Sequence, residues 1–315
     1  MPHVAAVVPV FFPDQTARDR LSSLLGQVDS LWVVDDGTNG EARLIVDGLR
    51  QGGLTILRHP TNLGIAAALN TGAEAALAAG ADFVLTVDQD TDLPAGYVAS
   101  CLSVFSQAEA GSVNIGIVAA GSINGAPVLP HEFIAGVGLM RYAIQSGMVI
   151  SAQCFRECGF FDTRLVIDAV DTEFCLRAWS HGYGVAAGLG TDIRHELGAE
   201  MPATFFGRPR LRDGRPRTYE YHAPFRQYYI SRNGVDLALR YFRSDRRWAL
   251  SALRFNFTAF VTGLAAGPHR FKHGVAGFLG VVHGLVRHRG KLSPSWSRRL
   301  STAKPLPAST DREAP

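Results

Sequence analysis

The sequence predicts an α/β protein built on a doubly wound, mostly parallel sheet, with a helical, basic extension at its C-terminal end. Short apolar runs alternate with helix-forming segments over residues 4–121, and this alternation is typical of β-α-β units joined by right-handed crossovers. The charge changes sign along the chain, from −12 over residues 1–203 to +15 over residues 204–303. The chain has 315 residues, of which 47% are hydrophobic, so it can form one large core and an appendage.

The apolar pattern places the individual elements. Strands are predicted at residues 4–12, 30–37, 53–59, 84–87, 115–121 and 146–155. Helices are predicted at residues 14–28, 65–79, 171–181, 225–243, 245–265 and 271–288. The Ala-rich run at 65–79 is a strong helix former, and Gly80 and Gly182 are well placed to end the helices that precede them.

Three regions follow from this order of elements. We predict a sheet domain at residues 1–203, a basic helical region at 204–302 and a disordered tail at 303–315. Pro, Gly and Arg are frequent in residues 201–224, which favours a mobile loop or linker there. The basic C-terminal third favours anionic partners, such as phospholipid, a pyrophosphate lipid or nucleic acid.

The cysteines and the N-terminus indicate a cytoplasmic protein. The four cysteines form no C-x-x-C pair, so neither a disulfide framework nor a zinc site is predicted, and a reducing compartment fits best. The N-terminal segment lacks a basic region and meets Pro9 and Pro13 early, which predicts a first strand and not a signal peptide. No apolar run reaches the length of a membrane-spanning helix.

An acidic loop at residues 88–90 is the most informative motif. Asp88 and Asp90 follow a short β-rich apolar run, and Pro94 closes the loop after them. Ligands of open α/β sheets bind outside the carboxyl ends of the strands. Two carboxylates one residue apart at such a place can hold a hard divalent cation that is completed by water and substrate phosphates. The alternative is a solvated Asp-rich turn.

Two further strand ends carry candidate residues. Asp35 and Asp36 close the second strand, where an Asx-turn before Gly37 explains one Asp better than two. Asn62 precedes the Ala-rich helix and is expected to cap it, and a helix N-terminus at this edge favours a phosphate or a ribose. The segment is not a G-x-G-x-x-G motif, so nicotinamide cofactors are disfavoured.

Taken in order, these motifs resemble those of the family-2 inverting glycosyltransferases with the GT-A fold, over roughly residues 4–235. More narrowly, the chain is similar to bacterial rhamnosyltransferases that use a deoxythymidine-diphosphate-rhamnose donor, and VDTEFCLR and RQYYISRN support that branch. The matching pieces are VVPVFFPD, WVVDDGTNG, NLGIAAALNTG, LTVDQDTDLP, SGMVIS, IDAVDTEFCLRAWSHGYGV, His195 followed by Gly198, and FRQYYISRNGV.

For the donor, the resemblance implies the following roles. The end of the first strand, at Pro9, Val10 and Phe11, would meet the nucleobase, and Asp36 would accept the imide N–H of a pyrimidine. Asn62 and Gly64 would lie at the helix N-terminus that receives phosphate or ribose.

The resemblance also implies a metal site. Asp88 would contact the ribose or the metal, and Asp90 would hold Mg²⁺ or Mn²⁺ on the diphosphate. A histidine at the place of His195 completes the metal site in some relatives, although a lone histidine is equally expected in a structural role.

The catalytic base implied by the resemblance is Asp171. Many relatives have Glu-Asp shortly before a Leu-x-x-Arg, and alignment on Arg177 puts Val170 in the place of the Glu and Asp171 in that of the Asp. An inverting transfer needs one carboxylate to take the proton of the acceptor hydroxyl. Asp168 and Glu173 flank Asp171 and compete for the role. The alternative is that these acids favour the helix macrodipole.

The C-terminal third suggests an acceptor region and a membrane surface. Arg226, Tyr229 and Arg232 fall at helical spacings and form either a wall for acceptor or phosphate, or a helix that packs its aromatic side chains on a core. The apolar helices with basic residues at 245–265 and 271–288 suit the surface of an anionic membrane. The alternative for these helices is a subdomain or a dimer interface.

We therefore expect an inverting transferase that moves L-rhamnose from dTDP-β-L-rhamnose to a glycan, with a polyprenyl-pyrophosphate-linked acceptor, at the cytoplasmic face of the bacterial inner membrane. One alternative is a family-2 transferase with a UDP-hexose donor. The other is a non-catalytic protein that binds a nucleotide sugar or nucleic acid. Nucleic acid is disfavoured because the basic loop RPRLRDGRPR lacks interleaved aromatic residues.

Overall fold

The computed structural model describes residues 2–49, 54–195, 200–202, 204–205, 208–209, 211–212, 215–216, 218–266 and 268–302. The chain divides into two compact units that meet in sequence between Glu196 and Leu197.

The first unit alternates strands and helices. Its strands are β1 (Val4–Val10), β2 (Ser30–Asp35), β3 (Thr55–Arg58), β4 (Phe83–Thr86), β5 (Thr91–Asp92), β6 (Ile115–Ile123), β7 (Ala126–Pro127), β8 (Glu132–Ile134), β9 (Val137–Met140), β10 (Met148–Ser151) and β11 (Gly184–His195). Its helices are α1 (Ala17–Leu25), α2 (Ala42–Leu49), α3 (Ile65–Ala78), α4 (Tyr97–Ala110), α5 (Ala152–Cys158) and α6 (Val170–Ser180).

The strands form one mixed sheet in the order β3-β2-β1-β4-β10-β6-β11-β9-β8, with β5 paired to β11 and β7 to β6. The four strands β3, β2, β1 and β4 are mutually parallel, so their carboxyl ends share one edge of the sheet. Strand β10 enters antiparallel between β4 and β6. This confirms the predicted α/β class and places the acidic loop after β4 at the parallel edge.

Helices cover both faces of the sheet. Because side chains alternate along a strand, Ala5 and Val7 of β1 pack in one core with α3, α5 and α6. Val4, Ala6 and Val8 pack in the other core with α1, α2 and α4. All five side chains are buried, as expected for a parallel strand that is covered on both faces.

The second unit is helical with short strand pairs. Its helices are α7 (Pro224–Tyr241), α8 (Arg246–Ala266), α9 (Arg270–Leu285) and α10 (Pro294–Leu300). Its strands are β12 (Glu200–Pro202), β13 (Thr204–Phe205), β14 (Arg208–Pro209), β15 (Leu211–Arg212), β16 (Arg215–Pro216) and β17 (Thr218–Glu220). In the described part of the chain, no helix is both long enough and apolar enough to cross a membrane.

Glycines allow α7 and α9 to approach closely. A Cβ atom on Gly280 would lie 2.5 Å from the carbonyl oxygen of Tyr228, and one on Gly284 would lie 2.7 Å from that of Arg232. Neither backbone oxygen can move aside without displacing α7. The two glycines therefore set the distance between these helices.

The structure corrects three local predictions. The strand predicted at 146–155 ends at Ser151, whose hydroxyl accepts the backbone N–H of Cys154 and caps α5. Asn62 does not cap α3: the N-cap is Gly64, and its φ of 99° suits glycine. In the segment predicted as a loop at 201–224, the described residues up to Glu220 form antiparallel strand pairs, and α7 begins at Pro224. The predicted tail at 303–315 lies outside the described residues.

Candidate active site

Strand pairing brings the end of β11 onto the acidic loop after β4. Strand β5 pairs antiparallel with β11, so that Thr91 lies opposite His195 and Asp92 opposite Arg194. The backbone of His195 is fixed further by Asn124, whose amide donates to its carbonyl at 2.8 Å and whose Oδ1 accepts its N–H at 3.0 Å. His195 is thereby held against the loop that carries Asp90.

Asp88, Asp90 and His195 form a group that can hold a metal ion. Each offers one ligand atom, and these atoms lie within 4.8 Å of one another. Oδ1 of Asp90 is buried and makes no hydrogen bond in the described part of the chain, while Nδ1 of His195 lies 3.6 Å from it. Two carboxylates and an imidazole suit Mg²⁺ or Mn²⁺, so the donor set fits the predicted cation.

The carboxyl group of Asp88 is tuned by its surroundings. Burial raises its pKa to about 6, a shift that the hydrogen bond from Gln145 opposes and the charge of Asp90 adds to. The backbone N–H of Asp88 donates to Oγ of Ser146 at 2.9 Å, and that hydroxyl donates to Thr91 at 2.7 Å. A carboxylate crowded by a second acid favours a cation as neighbour.

Asp171 lies at the start of α6, after a strained loop. Val166, Asp168 and Ala169 all have positive φ, of 70°, 63° and 59°, a conformation that costs about 1–3 kcal/mol per residue and clusters at functional sites. Burial raises the pKa of Asp171, and N–H groups of Thr172 and Gln145 counteract the rise. The charge of Asp171 in turn raises the pKa of Asp88, so the two carboxyl groups share one electrostatic environment.

Gln145 connects these two carboxyl groups and was missed in the sequence. Its side-chain amide donates to Oδ1 of Asp88, and its backbone N–H opposes the rise in the pKa of Asp171 that burial causes. It is only 6% exposed. The signal in the sequence was the polar pair Gln145 and Ser146, which precedes β10 by one residue, Gly147.

Glu173, two residues after Asp171 on α6, has a charged partner. Glu173 is 3% exposed and forms two hydrogen bonds with Arg177, at 3.0 Å and 2.9 Å. Arg177 also donates to the carbonyls of Cys158 and Phe160. Glu173 is thus committed to a buried ion pair that ties α6 to the segment after α5.

The predicted nucleobase edge is held together by hydrogen bonds. Phe11 is 44% exposed. Its backbone N–H donates to Oε1 of Gln89 at 2.9 Å, and the side-chain amide of Gln89 donates to the backbone carbonyl of Phe11 at 3.2 Å. Pro9 and Val10 are buried in β1. These bonds attach the end of β1 to the acidic loop.

Asp35 and Asp36 make different contacts. Asp35 accepts the N–H of Thr38 at 2.9 Å and pairs with Arg58 at 2.9 Å, so it makes the expected turn. Asp36 accepts N–H groups of Leu63 and Gly64 at 2.7 Å and 2.9 Å.

Asp36 also contacts Nδ1 of His59 at 2.7 Å. The Asp36 carboxylate thus fixes the position of residues 62–64, which contain Asn62 and precede the first residue of α3. A Cβ on Gly64 would lie 2.8 Å from the carbonyl oxygen of Val166, so the start of α3 also contacts the strained loop before α6.

A polar cavity of about 450 Å³ opens beside the metal-ligand group. Asp90, Asp92 and His195 line it together with Arg20 and Arg194. Arg20 also pairs with Asp92 at 3.4 Å. The two arginines, which the sequence did not single out, bring positive charge to a lining that also contains the carboxylates of Asp90, Asp92 and Asp192.

Arg226, Tyr229 and Arg232 lie on α7 in the second unit. Tyr229 and Arg232 are each 1% exposed. The hydroxyl of Tyr229 accepts the N–H of Leu292 at 2.9 Å, and the Arg232 guanidinium lies 4.8 Å from the centre of the Tyr229 ring. These contacts favour packing over ligand binding for both residues, whereas Arg226 is exposed.

Solved structures with a similar fold are glycosyltransferases. The mannosyltransferase PcManGT from Pyrobaculum calidifontis, in complex with GDP-Man and Mn²⁺, is 16% identical with a TM-score of 0.55, covering 91% of this chain and 88% of that one. TarS of S. aureus is 15% identical with a TM-score of 0.51, covering 82% and 43%. GalNAc-T7, solved with UDP, GalNAc and Mn²⁺, is 13% identical with a TM-score of 0.50, covering 62% and 44%.

The chain thus spans less than half the length of TarS and GalNAc-T7. The sequence matches none of the curated proteins. The protein has the GT-A fold of the glycosyltransferases, as its sheet order, its flanking helices and the acidic loop after β4 define it. Residues 5–163 match Glycosyl transferase family 2, and the chain belongs to that family.

Proposed function

We propose that this protein is an inverting glycosyltransferase that uses Mg²⁺ or Mn²⁺ to move a sugar from a nucleoside-diphosphate donor to an acceptor hydroxyl. The observation that carries the proposal is the convergence of Asp88, Asp90 and His195 in one site with Asp171. A metal-ligand group and a separate carboxylate are the two parts that such a transfer needs.

The donor end of the site holds the diphosphate. A bound divalent cation would neutralise the charge that develops on the leaving nucleotide. Asp88, Asp90 and His195 supply its protein ligands, and Arg20 and Arg194 attract the phosphates in the adjoining cavity.

The nucleoside end of the proposal uses the edge formed by β1, β2 and α3. Phe11 offers its exposed ring to the base, next to Pro9 and Val10. In the described part of the chain, Oδ2 of Asp36 accepts one hydrogen bond, so a second acceptor position is assigned to the imide N–H. Asn62 and the α3 N-terminus at Gly64 suit a ribose or phosphate.

Asp171 takes the proton of the acceptor hydroxyl. Its raised pKa moves it towards the operating pH, where a base combines ionisation with proton affinity. Glu173 is tied up by Arg177, which leaves Asp171 as the better base in this helix. Departure of the nucleotide from the opposite face of the sugar then gives inversion.

The donor we propose is dTDP-β-L-rhamnose, and the product is an α-L-rhamnoside. Its support is the resemblance of VDTEFCLR and RQYYISRN to the rhamnosyl branch. A UDP-hexose is the rival donor within the same family. A screen of donor hydrolysis and transfer across dTDP-, UDP- and GDP-sugars, with and without Mn²⁺, tests the proposal: turnover that requires the cation and is fastest with dTDP-rhamnose supports it. Faster turnover of a UDP-hexose assigns the rival donor, and binding without turnover indicates a non-catalytic protein.

The proposed acceptor is a lipid-linked glycan at the cytoplasmic face of an anionic membrane. Helices α8 and α9 carry exposed apolar side chains, including Phe257 at 68%, Phe271 at 84% and Phe278 at 70%. Basic residues punctuate the same segments. Exposed aromatic residues beside arginines suit a protein that lies on the interface of an anionic bilayer.

A further inference from the structure

The second unit contains a cavity of its own, of about 210 Å³. It is bounded by β17 and the segment after it, the first turn of α7, α8 and the first turn of α9. The residues that define its character are Tyr219, Tyr221, Gln227, Phe255, Thr262 and His273. The Tyr221 ring meets the His273 ring edge-on, with 5.6 Å between the ring centres.

Buried polar atoms in this lining lack a hydrogen-bond partner. His273 is 2% exposed, and in the described part of the chain neither Nδ1 nor Nε2 of its ring makes a hydrogen bond. The hydroxyl of Tyr219 is also buried and without such a partner. Leaving a buried polar group unsatisfied costs about 1–3 kcal/mol. A molecule that enters the cavity and forms hydrogen bonds with these atoms would remove that cost, which favours its binding.

No Asp, Glu, Lys or Arg is among the described residues that line the cavity. The pKa of His273 is lowered to about 4, chiefly by burial, with smaller contributions from His269 and His222. A neutral imidazole offers one donor and one acceptor, which is the pattern that a hydroxyl group complements. A phosphate or carboxylate would lose its hydration here without gaining a counter-charge.

We propose that this cavity binds an uncharged, polyhydroxylated ring, namely a single sugar unit. His273 and Tyr219 bond to its hydroxyls, and the rings of Tyr219, Tyr221 and Phe255 pack against its C–H groups. A purely apolar ligand would leave the His273 and Tyr219 atoms unsatisfied. The site lies within the second unit and does not depend on the transfer reaction.

The test measures binding of neutral methyl glycosides to the full chain by saturation-transfer NMR and calorimetry, with EDTA present to suppress metal-dependent donor binding. We expect at least one glycoside to bind. Tyr219→Phe should weaken binding about 2–10-fold, as for one neutral hydrogen bond. His273→Phe removes two polar atoms and should weaken it about 10-fold or more. Asp90→Ala and Tyr142→Phe, an exposed tyrosine of the first unit, should bind as the parent does.

Each contrary outcome rejects the proposal. These are no glycoside binding up to the solubility limit, equal affinity in Tyr219→Phe and the parent, loss of binding in Asp90→Ala, or tighter binding of an alkyl chain than of any glycoside. Melting temperatures show whether each variant is folded. Tyr219→Phe removes a single oxygen atom, so it decides the matter if His273→Phe does not fold.

Discussion

Nδ1 of His195 lies 3.6 Å from Oδ1 of Asp90 and 2.8 Å from Oγ1 of Thr91, although the histidine closes β11 and both partners follow β4. The pairing of β5 with β11 produces this proximity, because Thr91 and His195 are partners in that ladder. Sheet topology therefore brings His195 to the metal-ligand group, whereas Asp88 and Asp90 are close neighbours in the sequence.

Removing Asp90 should abolish divalent-dependent nucleotide binding. Asp90→Ala deletes Oδ1, a buried ligand atom that makes no hydrogen bond with the residues the structure describes, so its loss breaks no hydrogen bond there. We expect Mn²⁺ to improve nucleotide binding in the parent but not in the variant, and transfer to be lost. Calorimetry with and without Mn²⁺ measures this, with Glu109→Ala on the exposed face of α4 as the matched control. Metal-dependent turnover near the parent rate in Asp90→Ala would contradict the assignment.

The affinity for Mn²⁺ should depend on the protonation of Asp88. Burial raises its pKa to about 6, so below that pH a proton occupies the carboxyl group and competes with the metal. We expect the affinity to fall about tenfold per pH unit below about 6 and to level off above it. Titrations of Mn²⁺ on both sides of about pH 6 measure this, and an affinity that does not change across that range contradicts the prediction.

The same pKa predicts a stability effect in the absence of metal. A carboxyl group whose folded pKa is raised contributes stability below its unfolded pKa, and this contribution is lost as the pH rises through about 6. Asp88→Asn should therefore raise the melting temperature of the metal-free protein above that pH and leave it nearly unchanged under more acidic conditions. A lower melting temperature in Asp88→Asn above that pH would argue against the raised pKa.

Much of the first unit could be predicted because local sequence patterns mark its strands. The runs that become β1, β2 and β4 are apolar and bounded by acids or prolines, and these strands lie where the parallel pattern puts them. The sequence analysis did not separate the antiparallel strand β10 from the helix after it. The segment SGMVISAQCF has no Gly or Pro at the point where the strand ends at Ser151 and α5 begins at Ala152. Only the cap formed by Ser151 divides them.

The candidate site was predictable to the extent that its residues stand at strand ends or helix starts. Asp88, Asp90 and Asp171 have such positions. Arg20 and Gln145 do not: Arg20 lies on α1, and Gln145 lies in a segment without a periodic pattern. Their proposed roles depend on distances across the sheet, which a sequence pattern cannot give.

The glycines of α9 should differ sharply in their tolerance of alanine. In Gly280→Ala the new Cβ would lie 2.5 Å from the carbonyl oxygen of Tyr228, and relieving this clash should cost about 1–3 kcal/mol of unfolding free energy. In Gly274→Ala it meets only the end of the Leu264 side chain, at 3.3 Å, so stability should be unchanged or rise by up to about 1 kcal/mol. Denaturant unfolding of both variants measures the difference, and equal stabilities would show that α7 and α9 are not in close contact.

Membrane association should depend on exposed aromatic residues of the second unit. The double variant Phe257→Ser, Phe271→Ser removes two side chains that are 68% and 84% exposed. We expect the parent to sediment with anionic vesicles at low salt and the variant to stay in the supernatant. Phe133→Ser, which changes a 58% exposed residue of the first unit, is the matched control. Equal binding to neutral and anionic vesicles, or none at low salt, would count against the membrane surface.

The two acids of α6 should separate catalysis from stability. Asp171→Asn keeps the shape of the side chain but cannot accept a proton, so kcat should fall by about two to four orders of magnitude while donor affinity stays close to the parent value. Because burial raises the pKa of Asp171, the melting temperature at neutral pH should be unchanged or higher. Glu173→Gln should do the reverse. It removes the charge that is paired with Arg177 inside the protein, and breaking such a pair costs up to about 3–5 kcal/mol, whereas Asp171, the proposed base, is untouched. Measuring kcat, donor affinity and melting temperature on both variants decides between the roles. An ordinary kcat in a folded Asp171→Asn enzyme, with a folded but inactive Glu173→Gln, would move the base to Glu173.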